Sequence, residues 1–276
     1  MDRKLIFLDI DGTLTEPGKN EPPASALEAV RGAQAKGNLV YLCSGRNYEM
    51  LSPLLKFGFD GVIASSGGYI VCGDEVIYDC PMTEEQKMKA LQVLDENGIF
   101  KTVECLDGSF TDEGFKDFLK ERAGQGKNSE LLRWREQIEK SLNILPMEQY
   151  REQPIYKMVI MCESKDQLTA PKQELEQDFM FCIQDEDQYG IVNGEIVNRR
   201  FDKGQGVRRV CEHLNIPLED TVAFGDSMND LEMMETAHLS ICMENGSETL
   251  KAKADEICPS VTADGLYQAF KKHNFM

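Results

Sequence analysis

Leu5-Ile6-Phe7-Leu8 is an unbroken apolar run that stops at an acidic loop, Asp9-Ile10-Asp11. Without polar alternation it has no face for water, so it reads as a strand buried on both sides, as in a parallel sheet. The pattern recurs. Asn38 to Cys43 ends at Ser44-Gly45-Arg46, Gly61 to Ala64 is a third short run, Thr221 to Phe224 runs into Gly225-Asp226, and Leu239 to Met243 follows. Helical segments separate these runs. Ser25 to Ala35 places Leu27 and Val30 on one face and stops at Gly37. Tyr48 to Lys56, Met228 to Thr236, Glu248 to Ala254 and Ala263 to Lys272 also read as helices, and Val207, Val210, Cys211 and Leu214 form another helical face. Alternating strands and helices predict an α/β fold, a doubly wound, Rossmann-like parallel-sheet core. Tyr69 to Cys72 and Glu75 to Tyr78, around Gly73-Asp74, predict a β-hairpin.

The middle of the chain follows a different pattern. Thr83 opens a helix through a capping box with Gln86, and Gly98 closes it. Asp107-Gly108 and Asn193-Gly194 each predict a hairpin turn, the latter between Gly190–Val192 and Glu195–Val197. Leu131, Trp134, Ile138, Leu142 and Leu145 space as one helical face over Glu130 to Leu145. Tyr156 to Cys162 and Phe179 to Ile183 read as strands, with a helix between them that Pro171 kinks or starts. The expected organisation is a core of residues 1–81 and 196–276 with an inserted α+β domain at 82–195.

Composition narrows the partners. With 48 acidic and 30 basic residues the net charge is −18, which repels nucleic-acid backbones and anionic lipids. The apolar runs are far shorter than the roughly 18 residues of a membrane span, and the first ten residues lack a signal peptide's h-region and cleavage site. The expectation is a cytoplasmic protein that binds neither nucleic acid nor membrane. Nine cysteines with no C-x-x-C spacing argue against a disulfide framework or a zinc ribbon, and three scattered histidines argue against histidine-based sites. Chemistry must come from carboxylates, hydroxyls and lysine.

A parallel sheet puts its ligands at the carboxyl ends of its strands. The loops there would bring Asp9, Asp11, Asp226 and Asp230 into one cleft. Two like charges about 4 Å apart repel by roughly 4 kcal/mol at an effective dielectric of 20, so such a cluster calls for a cation or for protonated carboxyls. An all-oxygen donor set with few carboxylates favours Mg²⁺. Ser44, Lys203 and the glycines supply phosphate-binding groups. Metal, nucleophilic carboxylate and phosphate cradle together suggest phosphoryl transfer through an aspartyl-phosphate.

These loops resemble the four motifs of the haloacid dehalogenase (HAD) superfamily of phosphatases, closest to its Cof-type branch with a class IIB cap inserted between the second and third motifs. Asp9-Ile10-Asp11-Gly12-Thr13 matches the first, Ser44-Gly45-Arg46 the second, Lys203 the third and Gly225-Asp226-Ser227-Met228-Asn229-Asp230 the fourth. The resemblance implies that Asp9 is the nucleophile and that Asp11 protonates the leaving alkoxide and later deprotonates water. It implies that Mg²⁺ is held by Asp9, the Asp11 carbonyl and Asp226, with Asp230 in support. Gly12, Ser44, Gly45, Lys203 and Asn229 are implied in phosphate binding. The expected function is a Mg²⁺-dependent phosphatase of a small phosphorylated metabolite (sugar phosphate, phosphorylated cofactor or nucleotide), as monomer or homodimer. One departure is local: the family often carries Asn-Gly-Ala after its third strand, where this chain has Ser66-Gly67-Gly68. Contacts to the leaving group from that loop are expected to differ.

Other readings are weaker. An EF-hand needs an acidic or Asn residue at its fifth position and Glu at its twelfth, where this chain has Thr13 and Asn20. Gly204-Gln205-Gly206 lacks the third glycine of a dinucleotide fingerprint, and there is no P-loop string. A phosphomutase would use the same intermediate with a sugar hydroxyl as acceptor. A non-enzymatic phospho-receiver shares the acidic residues, hydroxyl and lysine, but has no use for Asp11 or for a large insertion.

Overall fold

The computed structural model describes residues 3–115, 144–183 and 192–276. The chain begins with β1 (Leu5–Leu8), α1 (Ala24–Ala35), β2 (Leu39–Cys43), α2 (Tyr48–Leu55), β3 (Gly61–Ala64), β4 (Tyr69–Cys72) and β5 (Glu75–Asp79). There follow α3 (Glu84–Glu96), β6 (Phe100–Cys105), β7 (Gly108–Thr111), β8 (Ile144–Pro146), β9 (Ile155–Cys162), α4 (Thr169–Leu175), β10 (Phe179–Ile183) and β11 (Val192–Asn198). The last stretch holds α5 (Lys203–Leu214), β12 (Thr221–Gly225), α6 (Leu231–Thr236), β13 (Leu239–Met243), α7 (Glu248–Lys251), β14 (Glu256–Cys258) and α8 (Gly265–Lys272). Two compact units result. One takes Met1–Arg46, Leu51–Asp79 and Phe201–Met276, the other Asn47–Met50 and Cys80–Arg200.

The first unit is a mixed α/β layer structure on one eight-stranded sheet, ordered β14-β13-β12-β1-β2-β3-β4-β5. From β14 to β3 all neighbours are parallel, and β4 and β5 add antiparallel at the edge. Every residue of β1 is fully buried, as an apolar run without alternation requires. α1 packs its small residues Ala26, Ala29, Val30 and Ala33 inward, so the buried face is narrower than Leu27 suggested. One side of the sheet buries Phe7, Tyr41, Ile63, Ala223 and Cys242 against Val207, Val210 and Cys211 of α5. β14 has only three residues and no sequence signal of its own. Because β12, β1, β2 and β3 are parallel neighbours, their carboxyl ends meet on one edge, where the chain continues as Asp226, Asp9, Ser44 and Ser65.

The second unit has a six-stranded sheet, β10-β11-β9-β6-β7-β8, antiparallel except for the β7–β8 pair. Ala90, Val93 and Leu94 of α3 pack on Val103, Met158, Ile160 and Ile196 of the strands. The Thr83–Gln86 capping box opens α3, and the Asp107-Gly108 hairpin forms between β6 and β7. Pro171 sits in the first turn of α4, where its missing N–H costs nothing. Two expectations are corrected. Asn193-Gly194 is no turn but part of β11, with Asn193 opposite Met161 and Gly194 between Ile160 and Ile183. A Cβ at Gly194 would lie 2.7 Å from the Cys182 carbonyl oxygen, so glycine serves close strand approach there. Leu145 lies in β8 rather than on a helical face, while the remainder of the helix expected over residues 130–143, with Trp134, and residues 190–191 fall outside the described residues.

Candidate active site

Asp9 is the first residue past β1, and its N–H donates to the Phe224 carbonyl at 3.0 Å, which ties its backbone to the neighbouring strand β12. The next turn is tight. Gly12 holds φ at +90°, and a Cβ there would lie 2.2 Å from Oδ2 of Asp226. Glycine is therefore required twice, for its backbone angle and for the approach of the Asp226 carboxylate. Asn245, past β13, donates from Nδ2 to the Gly12 carbonyl at 2.8 Å and accepts the Val261 N–H at 3.0 Å, so it holds the turn from outside.

The loop after β12 is fixed by its own capping box. Asp230 Oδ2 accepts the N–H groups of Asp226 and Ser227 at 3.0 and 3.1 Å, which points its Oδ1 toward Lys203. Lys203 opens α5 behind its N-cap Asp202. Its Nζ donates to Asp9 Oδ1 at 2.7 Å and to Asp230 Oδ1 at 2.6 Å, and reaches Asn229 Oδ1 at 3.5 Å. Asp9, Asp226, Asp230 and Lys203 are all buried, and Asn229 is half-buried. Asp9, Asp226 and Asp230 each offer a carboxylate oxygen within 4.8 Å of the others.

If all three carboxylates were ionised, the one ammonium would leave two negative charges in a buried pocket. That imbalance disfavours ionisation of one carboxyl. Burial, with the Asp230 charge adding to it and Lys203 only partly opposing it, pushes the Asp9 carboxyl up to about 8. Burial alone would pull Lys203 down, but the Asp230 and Asp9 carboxylates outweigh it and hold the ammonium well above its usual range. A divalent cation fits both the oxygen donors and the missing charge. Asp230 is already committed to Lys203 and two backbone N–H groups, which suits it to support rather than primary ligation.

The structure brings Ser44 to the same edge. It is buried just past β2, its Oγ accepts the Arg46 N–H at 3.2 Å, and Gly45 beside it is buried too. Asp11 points to a partner to which the sequence assigned no role. Arg46, 1% exposed, donates Nε to Asp11 Oδ2 at 2.8 Å and Nη2 to Oδ1 at 2.7 Å. Gly18 N–H adds 2.8 Å to Oδ1, and Arg46 Nη1 also reaches Asn20 Oδ1 at 2.6 Å. The fork-on-fork geometry fixes the orientation of the carboxylate. The signal for Arg46 was its place beside Ser44-Gly45. Asn245 had none, since a lone Asn in a loop most often turns the backbone.

The sequence profile described as haloacid dehalogenase-like hydrolase matches residues 6–270. YkrA of Bacillus subtilis, named as a phosphatase, is 26% identical over 276 residues, covering 99% of this chain and 98% of its own. The 5-amino-6-(5-phospho-D-ribitylamino)uracil phosphatase YwtE of the same organism is 26% identical over 276 residues, covering 95% of each. Among solved structures, the HAD subclass IIB sugar phosphatase BT4131 superposes with a TM-score of 0.77 at 22% identity, covering 99% of this chain and 100% of that one. That likeness bears on the fold alone. No described helix is long and apolar enough to cross a membrane. With the profile covering nearly its whole length, the chain belongs to the haloacid dehalogenase-like hydrolases.

Proposed function

We propose that the protein is a Mg²⁺-dependent phosphatase of a small phosphate monoester, working through a phosphoryl group carried on Asp9. The observation behind this is the buried Asp9, held by Lys203 at 2.7 Å inside a cluster of three buried carboxylates faced by a single ammonium. Asp9, the Asp11 carbonyl and Asp226 would hold the ion, with Asp230 in support, and the ion would supply charge neutralisation for Asp9 and the phosphoryl oxygens.

The chain's own residues then divide the work. Lys203 orients Asp9 for in-line attack on phosphorus and balances charge on the transferring oxygens. Ser44 and the N–H groups around Gly12 and Gly45 receive phosphoryl oxygens, and Asn229 borders them. Asp11, which Arg46 and the Gly18 N–H hold as an ionised carboxylate in this structure, would leave that fork and take up a proton to protonate the leaving oxygen, then take one from the water that cleaves the acyl phosphate. The insertion expected at 82–195 is assigned the role of a specificity cap. Names of relatives such as YwtE agree with a phosphorylated metabolite as substrate. The test is release of phosphate from p-nitrophenyl phosphate with and without Mg²⁺. Asp9→Asn should abolish turnover, and full activity in that variant would overturn the proposal.

A further inference from the structure

Past the ends of β1 and β12 each acidic loop closes on itself. Gly12 N–H donates to the Thr15 carbonyl at 2.8 Å, and Asp226 N–H to Asp230 Oδ2 at 3.0 Å. A third segment ties the two loops together. Asn245-Gly246-Ser247 follows β13 and leads into α7, with Ser247 as its N-cap. Asn245 Nδ2 donates to the Gly12 carbonyl at 2.8 Å, and Ser247 N–H donates to the Asp226 carbonyl at 2.8 Å. Between them, a Cβ at Gly246 would lie 2.8 Å from that same Asp226 oxygen, so a glycine is what lets the segment come so close.

Asn245 is exposed, yet both ends of its amide are engaged with backbone rather than left to water. Its Oδ1 accepts the Val261 N–H at 3.0 Å. The orientation of the amide is forced, because the Gly12 carbonyl can only accept and the Val261 N–H can only donate. The Cα of Gly12 faces the Asp226 carboxylate, whose Oδ2 lies 2.2 Å from where a Cβ would stand. Asn245 therefore pins the glycine on which that carboxylate rests, and Ser247 pins the backbone that carries it.

We infer that Asn245 is a positioning residue for the cation seat, touching neither ion nor substrate and acting by holding the Gly12 turn at its set distance from Asp226. This rests on the Mg²⁺ part of the proposed function and not on turnover.

The test is calorimetric titration of Mg²⁺ into the metal-free native protein and into Asn245→Ala, with the melting temperature of each read without metal. Asn38→Ala is the matched control. Asn38 also bridges two backbone groups, the Lys4 N–H at 2.8 Å and the Phe275 carbonyl at 2.8 Å, but its partners lie outside the acidic loops. Asn245→Ala should weaken Mg²⁺ about tenfold, the size of a lost supporting contact at a metal site. Asn38→Ala, whose side chain is buried, should melt at least as early and bind Mg²⁺ within twofold of native. Binding within twofold in Asn245→Ala would overturn the inference, and so would equal weakening in Asn38→Ala, which would trace the effect to lost stability. Either result leaves the phosphatase reading standing. If the native protein binds Mg²⁺ and Asn245→Ala weakens it, but the native protein releases no phosphate from p-nitrophenyl phosphate, the phosphatase reading fails and this one holds. A native protein that takes up no Mg²⁺ would overturn both.

Discussion

Replacing Arg46 by Met keeps much of the side-chain volume and removes the guanidinium. In the native protein Arg46 and Asp11 are 1% and 4% exposed, and two charge-assisted bonds of 2.8 and 2.7 Å join them. Removing one partner of such a buried pair leaves a desolvated charge and costs about 3–5 kcal/mol. Gly18 N–H still donates to Asp11 Oδ1, which argues for the lower end of that range. Against a typical domain stability of about 5–15 kcal/mol this is a large loss. At about 2–4 °C per kcal/mol for a chain of this size, melting should fall by roughly 6–12 °C. Urea denaturation and kinetics on an aryl phosphate should be measured together. In the double variant Asp11→Asn/Arg46→Met the stray charge is gone, so most of the stability should return. Activity should not, because Asp11 is then absent. Arg46→Lys should lie between, since it keeps charge but cannot make the fork. If Arg46→Met unfolds within about 1 kcal/mol of the native protein, or if its kcat is unchanged, the pair neither carries stability nor positions Asp11, and the reasoning fails.

Lys203→Met should lower kcat by about a hundredfold to a thousandfold, as for loss of one preorganised donor; an unchanged kcat would remove Lys203 from the machinery. Gly12→Ala would drive a methyl group to within 2.2 Å of Asp226 Oδ2 at a backbone angle of +90°. Mg²⁺ affinity, read by calorimetry, should fall about tenfold or more. The pH response of the metal-free protein follows from Asp9. Its carboxyl is pushed up to about 8 in the fold from an ordinary value near 4, so between those values the native state binds the extra proton. Stability from this group is therefore present at low pH and lost as pH rises toward 8. The metal-free melting temperature should fall from pH 5 to pH 8, and Asp9→Asn should flatten that slope. A chelator should abolish turnover, and excess Mg²⁺ should restore it.

Where local chemistry and tertiary context agree, the sequence was easy to read. Leu5–Leu8 could be nothing but a doubly covered strand, and Thr83 with Gln86 could hardly do other than cap a helix. Asp9, Asp226 and Asp230 were legible because parallel strands gather their carboxyl ends, and Lys203, which opens a helix instead, only through its place in the series of motifs; the structure does bring those four together. Asn193-Gly194 misled because its local turn preference is outweighed by pairing with β9, and at Gly194 with β10 as well. The Arg46–Asp11 clamp was not legible. The two residues lie 35 positions apart, and no spacing rule predicts which charge a buried arginine will meet.

β1 lies beside β12, although more than two hundred residues of chain separate them. On a ribosome, the strand carrying Asp9 emerges long before its neighbour β12. The central β1–β12 seam can close only after the whole of Cys80–Arg200 has been made, and the loop-closure entropy of so long a detour grows only slowly with its length. Until then Asp9 has neither its lysine nor its fellow carboxylates, so under the proposed mechanism a nascent chain stays inert toward phosphate esters, and truncation anywhere before Asp230 leaves the acidic cluster incomplete.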